Sequence, residues 1–339
     1  MSFKQFDNED VIVSADSISS TVWSTDTYEL STFFTSSTQE SATSGDYYLN
    51  VYQTGSDLSN AAVQYSIAYG NSSGVGSSPY NANVAGKSPS STIYGQYRSL
   101  VLGDEEQDIL FGGIPSTKGF FAIVVDRARY KEKLMPGTFN LKLNDGSTTL
   151  ELTDNSGQIS TVTYTDAGRS YEIISGSNGT AFDGGTGFSS TNSYVASFGK
   201  FLPDIGVILL NGQALDNHLS ALNFTTGSSD ANGANNGILF TAMNRGAAQS
   251  FKANSEETIS SNYIFVRVRN GEFNYSNNPS NITGSGELRH NSMVNNPQAY
   301  ITSVGLYNDN NDLLGVAKLS KPLLKDFTKE ALVRIKLDY

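Results

Sequence analysis

Apolar residues along this chain recur mostly at alternate positions. They come in short runs separated by Gly, Asn, Asp and Ser, which is the period of half-buried strands. Tyr47–Tyr52 and Ala62–Tyr69 predict strands from their aromatic and β-branched content, and Thr138–Leu143 from clean alternation. Gly119-Phe-Phe-Ala-Ile-Val-Val125 has no polar alternate and predicts a strand buried on both faces. Thr149–Leu152, Ile159–Tyr164, Tyr171–Ile174, Ile205–Leu210 and Asn262–Arg269 are further strand segments. Ile93, Tyr97 and Leu100 instead have helical spacing, with Ser88-Pro89 as a helix start and Gly95 as a weak point. Ala214–Leu222 and Gly237–Ala248 predict two more helices. Asp126–Leu134 predicts a short charged helix or turn, stopped by Met135-Pro-Gly137.

The C-terminal segment carries the clearest pattern. Ala299–Tyr307 is apolar and β-branched, Asn308-Asp-Asn-Asn-Asp312 tolerates left-handed backbone, and Leu313–Leu319 returns, so the three form a hairpin. Glu330–Tyr339 then alternates Leu332, Ile335 and Leu337 against Arg334, Lys336 and Asp338. A strand in that position is expected to be tied into a sheet or a subunit contact, because loose termini fray.

These elements predict an α+β fold, predominantly β, with antiparallel sheets, a few short helices and an extended N-terminal arm. Residues 1–50 form the arm: a short strand at Asp10–Val13, then Trp23, Tyr28, Phe33 and Phe34 isolated in a Ser/Thr background. Such aromatics either anchor the arm on a neighbouring surface or pack on this chain's own core. Residues 51–143 and 256–339 are expected to form one β-rich core, with 144–255, dense in turn signals, inserted between them.

Composition narrows the function classes. The balance is acidic, 33 Asp+Glu against 22 Lys+Arg for a net charge of −11, which disfavours nucleic acid as a partner. Cysteine is absent, so disulfides, Cys-ligated metals and thiol catalysis are excluded. No apolar run approaches the roughly 18–20 residues of a membrane-spanning helix. Met1–Asp10 has no signal-peptide pattern, so synthesis and folding in a cytoplasm are expected.

No motif carries catalytic chemistry. His218 and His290 stand among polar residues without an obvious partner, no Gly-x-Ser-x-Gly elbow appears on a strand-to-helix turn, and both read as surface histidines. Asn308–Asp312 lacks the Gly and the bidentate Glu of a calcium loop and reads as a turn. Asp145, Asp154 and Asp183 read as turn residues too. No catalytic, cofactor-binding or metal-binding residue is assigned, and no cofactor is expected.

The interface candidates are of another kind. Arg127, Arg129, Lys131 and Lys133 form a local cationic cluster in an acidic chain, suited either to an acidic partner surface or to solvent. Phe273 and Tyr275 are read as pinning the Glu272–Ser280 loop, whose Asn side chains satisfy backbone groups. Trp23, Phe33 and Phe34 on the arm, with Arg334 and Tyr339 on the closing segment, complete the set.

Several segments together resemble the virion structural proteins of T4-like contractile-tailed phages, particularly those of marine cyanobacteria. They are Ile93–Arg98, Arg127–Leu134, Phe201-Leu-Pro-Asp-Ile-Gly206, Phe273-Asn-Tyr-Ser-Asn-Asn-Pro279 and Val304–Asn310 through Ala317–Pro322. The resemblance implies a non-enzymatic virion component, a tail or baseplate piece first and a neck, collar or capsid-associated protein second. A tail adhesin binding a host receptor or glycan is the reading from a different class, followed by a glycan-degrading enzyme. The expected partners are other virion proteins and copies of the same chain, and a host surface if the protein is peripheral.

Overall fold

A computed structural model describes residues 5–22, 36–42, 45–77, 83, 87–191, 193–224, 233–245 and 250–338. Strands account for 44% of the described residues and helices for 16%, so the fold is α+β and predominantly β. The chain divides into two compact units, Met1–Ser17 with Thr258–Tyr339, and Ile18–Glu257.

In chain order the first strands are β1 (Val11–Thr21), β2 (Ser37–Ala42), β3 (Gly45–Tyr52) and β4 (Val63–Gly70), followed by helix α1 (Pro89–Leu102). Next come β5 (Leu110–Phe111), β6 (Ile114–Pro115), β7 (Phe120–Val125), β8 (Lys133–Leu134), β9 (Asn140–Asn144) and β10 (Thr149–Asp154). β11 (Thr163–Thr165), β12 (Gly168–Ser177), β13 (Thr180–Ala181), β14 (Ser189–Thr191), β15 (Tyr194–Ala196), β16 (Gly199–Leu202) and β17 (Val207–Asn211) lead to α2 (Gly212–His218) and α3 (Ala234–Arg245). The chain closes with β18 (Phe251–Lys252), β19 (Asn254–Val268), α4 (Asn291–Asn295), β20 (Ala299–Tyr307), β21 (Leu313–Lys325) and β22 (Ala331–Asp338).

A twelve-stranded sheet organises the larger unit, in the order β18-β9-β10-β12-β16-β17-β7-β4-β3-β2, with β11 and β13 also paired to β12. Alternation explains how its central strands are covered. β7 sends Phe121, Ile123 and Val125 into one apolar layer and Phe120 and Ala122 into the other. Its neighbour β17 divides Ile208 and Leu210 from Val207 and Leu209 in the same way. Ala214 and Leu215 of α2, with Leu239, Phe240 and Met243 of α3, cover the first layer. Ile93, Tyr94 and Val101 of α1 cover the second. Each Val, Leu, Ile, Phe or Met side chain among them contributes about 1.5–3 kcal/mol on burial, and two covered faces are why β7 is apolar at every position.

α1 starts where its sequence says. The Ser88 hydroxyl accepts the Ser91 N–H at 3.4 Å, the Ser91 hydroxyl accepts the Ser88 N–H at 3.1 Å, and Pro89 occupies the first turn. Gly103 ends it at φ +62°, its N–H bonded to the Ser99 carbonyl. Gly119, at φ +68°, lies so close to the Gly70 carbonyl that any Cβ would collide with it.

Several expectations need correction. Residues 144–255 are not inserted between parts of a core, because β10, β12, β16 and β17 lie in the interior of the same sheet as β4 and β7. Residues 258–339 belong to the other unit instead of completing a core with 51–143. Residues 1–50 are not one extended arm: β2 and β3 form a hairpin in the large sheet, paired onward to β4, and β1 pairs with β19. Asp126–Leu134 is helical only as a single 3-10 turn, Arg127–Arg129, before β8. Of the predicted Ile159–Tyr164 strand, only the end survives, in β11.

The smaller unit has a sheet in which β19 lies between β1 and β22, and a separate two-stranded sheet, β20-β21. β19 and β22 pair antiparallel from Ser261↔Asp338 to Val268↔Ala331. Its apolar core is thin. Ile264, Leu306, Val333 and Ile335 form its buried cluster, with Val266, Val304, Ala317, Leu319 and Leu323 packed partly against them, and Val268 and Ala331 are buried besides.

Candidate assembly surface

Among the described residues, the β20–β21 hairpin of the smaller unit exposes a group of large apolar side chains. Its turn is held by one side chain: the Asn308 amide oxygen accepts the N–H groups of Asn310 at 3.0 Å and Asp312 at 2.7 Å. Asn308 N–H donates to the Asp312 carbonyl, and Asn311 takes φ +64°, which asparagine tolerates. The turn is thus rigid and carries two exposed acids, Asp309 and Asp312.

Pairing then distorts next to the turn. Leu306 faces Gly315, but Tyr307 faces Leu313, so Leu314 is an extra residue in a β-bulge. A second irregularity falls between Ile301, which faces Leu323, and Ser303, which faces Lys318. Between these breaks, Val304, Leu306, Ala317 and Leu319 turn towards the thin core. The opposite face shows Tyr307, Leu313, Leu314 at 71% and Val316 at 62% exposure, with Tyr300 at 65% further along β20. Apolar side chains grouped this way on one hairpin mark an interaction surface more often than scattered ones do.

The other predicted residues fall differently. Arg127 donates to the Tyr130 carbonyl at 2.6 Å and lies over the Tyr130 ring at 4.7 Å. Lys131 pairs with Glu257 at 2.6 Å. The Nε of Arg129 is buried without a hydrogen bond, and Lys133 lies in β8, paired with Glu256 across the strands. Two of the four cations are therefore engaged by this chain itself. Arg334 lies 5.7 Å from the Tyr263 ring on the neighbouring strand. Beside it, the Ser261 hydroxyl and then Lys336 hold the Asp338 carboxyl below the usual carboxylate range.

Phe273 and Tyr275 do not pin their loop. Both are exposed, and Phe273 takes φ +54°. The pin is Asn274, between them and buried, whose oxygen accepts from the Lys325 ammonium at 2.6 Å and whose amide donates to the Asn270 carbonyl at 2.8 Å. Lys325 is itself fully buried and also donates to the carbonyls of Asn270 and Asp326, each at 2.9 Å. The neighbouring asparagines do satisfy backbone groups: Asn281 donates to the Ser276 carbonyl and Asn278 accepts from Ser280 N–H. Trp23, Phe33, Phe34 and Tyr339 lie outside the described residues.

Titratable groups in the larger unit are grouped but occupied. Arg169 bridges Asp204 and Glu256, each at 2.8 Å, on the wall of a shallow depression of about 470 Å³ shared with Glu132, Lys133 and Tyr164. Glu172 accepts from Lys200 at 2.7 Å and from the Ser197 hydroxyl at 2.5 Å. His218 is not a surface histidine: it is half-buried against Phe198, ring centroids 5.0 Å apart, and burial lowers its pKa. No three acidic or imidazole side chains among the described residues are placed to hold a metal, and none of the described helices is long and apolar enough to cross a membrane. Compared with known proteins, the chain matches no family model, no curated protein and no solved structure.

Proposed function

We propose that this chain is a non-enzymatic structural subunit of a multi-chain particle and that the smaller unit carries its assembly surface. One observation carries the reading: among its described residues that unit buries only six apolar side chains while its hairpin holds Tyr307, Leu313, Leu314 and Val316 in solvent. Burying a side chain of this kind is worth about 1.5–3 kcal/mol. Four of them, partly covered already, offset only the lower part of the roughly 4–15 kcal/mol that association costs. A single weak contact of this size suits a subunit held by several neighbours at once, as in a particle.

The kind of particle comes from the sequence. The segments quoted above resemble contractile-tailed phage virion proteins, and α+β chains of this size are common in the tail baseplate. The low charge fraction of 16% and the strand-rich fold suit such a component. Immunogold labelling of particles from the phage that encodes the chain tests this. Label at the tail end of intact particles is expected. Chain recovered only in the soluble lysate, with unlabelled particles, refutes it.

A further inference from the structure

We infer that β20 is a strand-pairing edge and that its occupant is β20 of a second copy of this chain. The inference rests on reading the hairpin as an assembly surface and names the partner. β20 pairs with β21 on one side and with no other strand among the described residues. Thr302, Ser303 and Gly305 are exposed, so that edge is open. Free edges are normally guarded by charge, proline or shortness. The β21 edge has Lys318, Lys321 and Pro322, whereas Ala299–Tyr307 contains neither a charged residue nor a proline.

The pattern of β20 is complementary to itself. A two-fold axis at Gly305 pairs residues 303–307 of both copies antiparallel. Val304 then faces Leu306 of the second copy, and both point to the core side. Ser303 faces Tyr307 of the second copy on the outer side, and the axis passes where no side chain stands. Alternation is preserved at every pair, as a shared sheet requires. The result is a four-stranded sheet, β21-β20-β20-β21, whose two apolar outer faces are continuous.

Charge selects the same arrangement. The exposed acids of each hairpin lie at its tip, Asp309 and Asp312, and the exposed cations Lys318 and Lys321 lie back along β21, Lys318 opposite Ser303. Antiparallel pairing carries each acidic tip past Ser303 towards the Lys318 and Lys321 of the other copy. In a chain of net −11, where two copies repel at a distance, this opposite-sign approach fixes the register.

The test is a charge swap at the axis, with mass read by light scattering on the full chain. The wild type is expected to approach twice its 36.4 kDa chain mass as its concentration is raised. Gly305→Lys and Gly305→Asp each place like charges opposite one another and are expected at the single-chain mass. Their equimolar mixture is expected to return to the double mass. A Cβ at Gly305 meets only the Tyr307 ring, the end of a mobile side chain, and Leu313 beyond it, so folding measured by circular dichroism is expected to be unchanged. Should either variant lose its β signal, Gly305→Cys decides: in a chain without cysteine, oxidation is expected to give a covalent dimer, and its absence overturns the inference. Wild type at single mass, a variant that keeps the double mass, or a mixture that does not reassociate also overturns it. A single-mass wild type that still labels particles removes the pairing and leaves the assembly reading. A double-mass chain absent from particles supports the pairing and removes that reading.

Discussion

Lys325→Met replaces a fully buried ammonium by an apolar side chain of similar length. Lys325 donates to the Asn274 side-chain oxygen at 2.6 Å and to the Asn270 and Asp326 carbonyls at 2.9 Å, and no carboxylate among the described residues is bonded to it. Hydrogen bonds from a charged group contribute about 1.5–3 kcal/mol each, and an acceptor left buried without a donor costs about 1–3 kcal/mol. Desolvating the ammonium opposes them by several kcal/mol. The difference predicts a net loss of about 2–4 kcal/mol, a large part of the 5–15 kcal/mol typical of a whole domain. Lys325→Ala adds a cavity and is expected to lose more. Urea unfolding followed by far-UV circular dichroism measures the loss, and hydrogen exchange at residues 270–274 shows whether the loop is released. A Lys325→Met chain within about 0.5 kcal/mol of wild type, with unchanged exchange in the loop, refutes the account, since desolvation would then cancel the three bonds.

Two further outcomes follow from other contacts. The Thr148 and Ser147 amides, at 2.7 and 2.9 Å, hold the Asp145 carboxyl below the usual range. Its folded pKa is depressed, so the stability it lends is present above the unfolded pKa and is lost as pH falls towards the folded value. Asp145→Asn should therefore flatten the acid limb of melting temperature against pH, and an unchanged limb would exclude the role. Deleting the last seven residues removes Val333 and Ile335, two of the four side chains of the smaller unit's buried cluster, and six of the eight β19–β22 pairs. Insoluble or protease-sensitive protein is expected, and a soluble truncation with wild-type circular dichroism would show that β22 is dispensable.

Local signals in the sequence were readable where local physics decides. Ser88 and Pro89 announce α1 because they satisfy or remove its orphan N–H groups, and Asn308 announces the hairpin because its side chain replaces a turn's own hydrogen bonds. The division into units was not readable. Dense turn signals over 144–255 suggested an insertion, yet they mark the tight connections of an antiparallel sheet, such as Asp145-Gly146 between β9 and β10. Nor could the Lys325–Asn274 bond be seen, since its ends are 51 residues apart. A charged residue with no local partner looks exposed until the fold brings acceptors to it.

The same pattern can also carry opposite meanings. Both β7 and β20 lack charge and proline throughout. In β7 the reason is that β4 and β17 pair on either side and helices cover both faces. A charge in that position would need a buried partner, so none is tolerated. In β20 only one side is paired among the described residues, and one face is largely open to solvent. Burial within the chain therefore does not explain the missing charges there, and lysine on its free edge would cost this chain nothing as a monomer. The absence of guards acquires a physical reason only when another strand lies on that edge, where a charge facing its own copy would repel it.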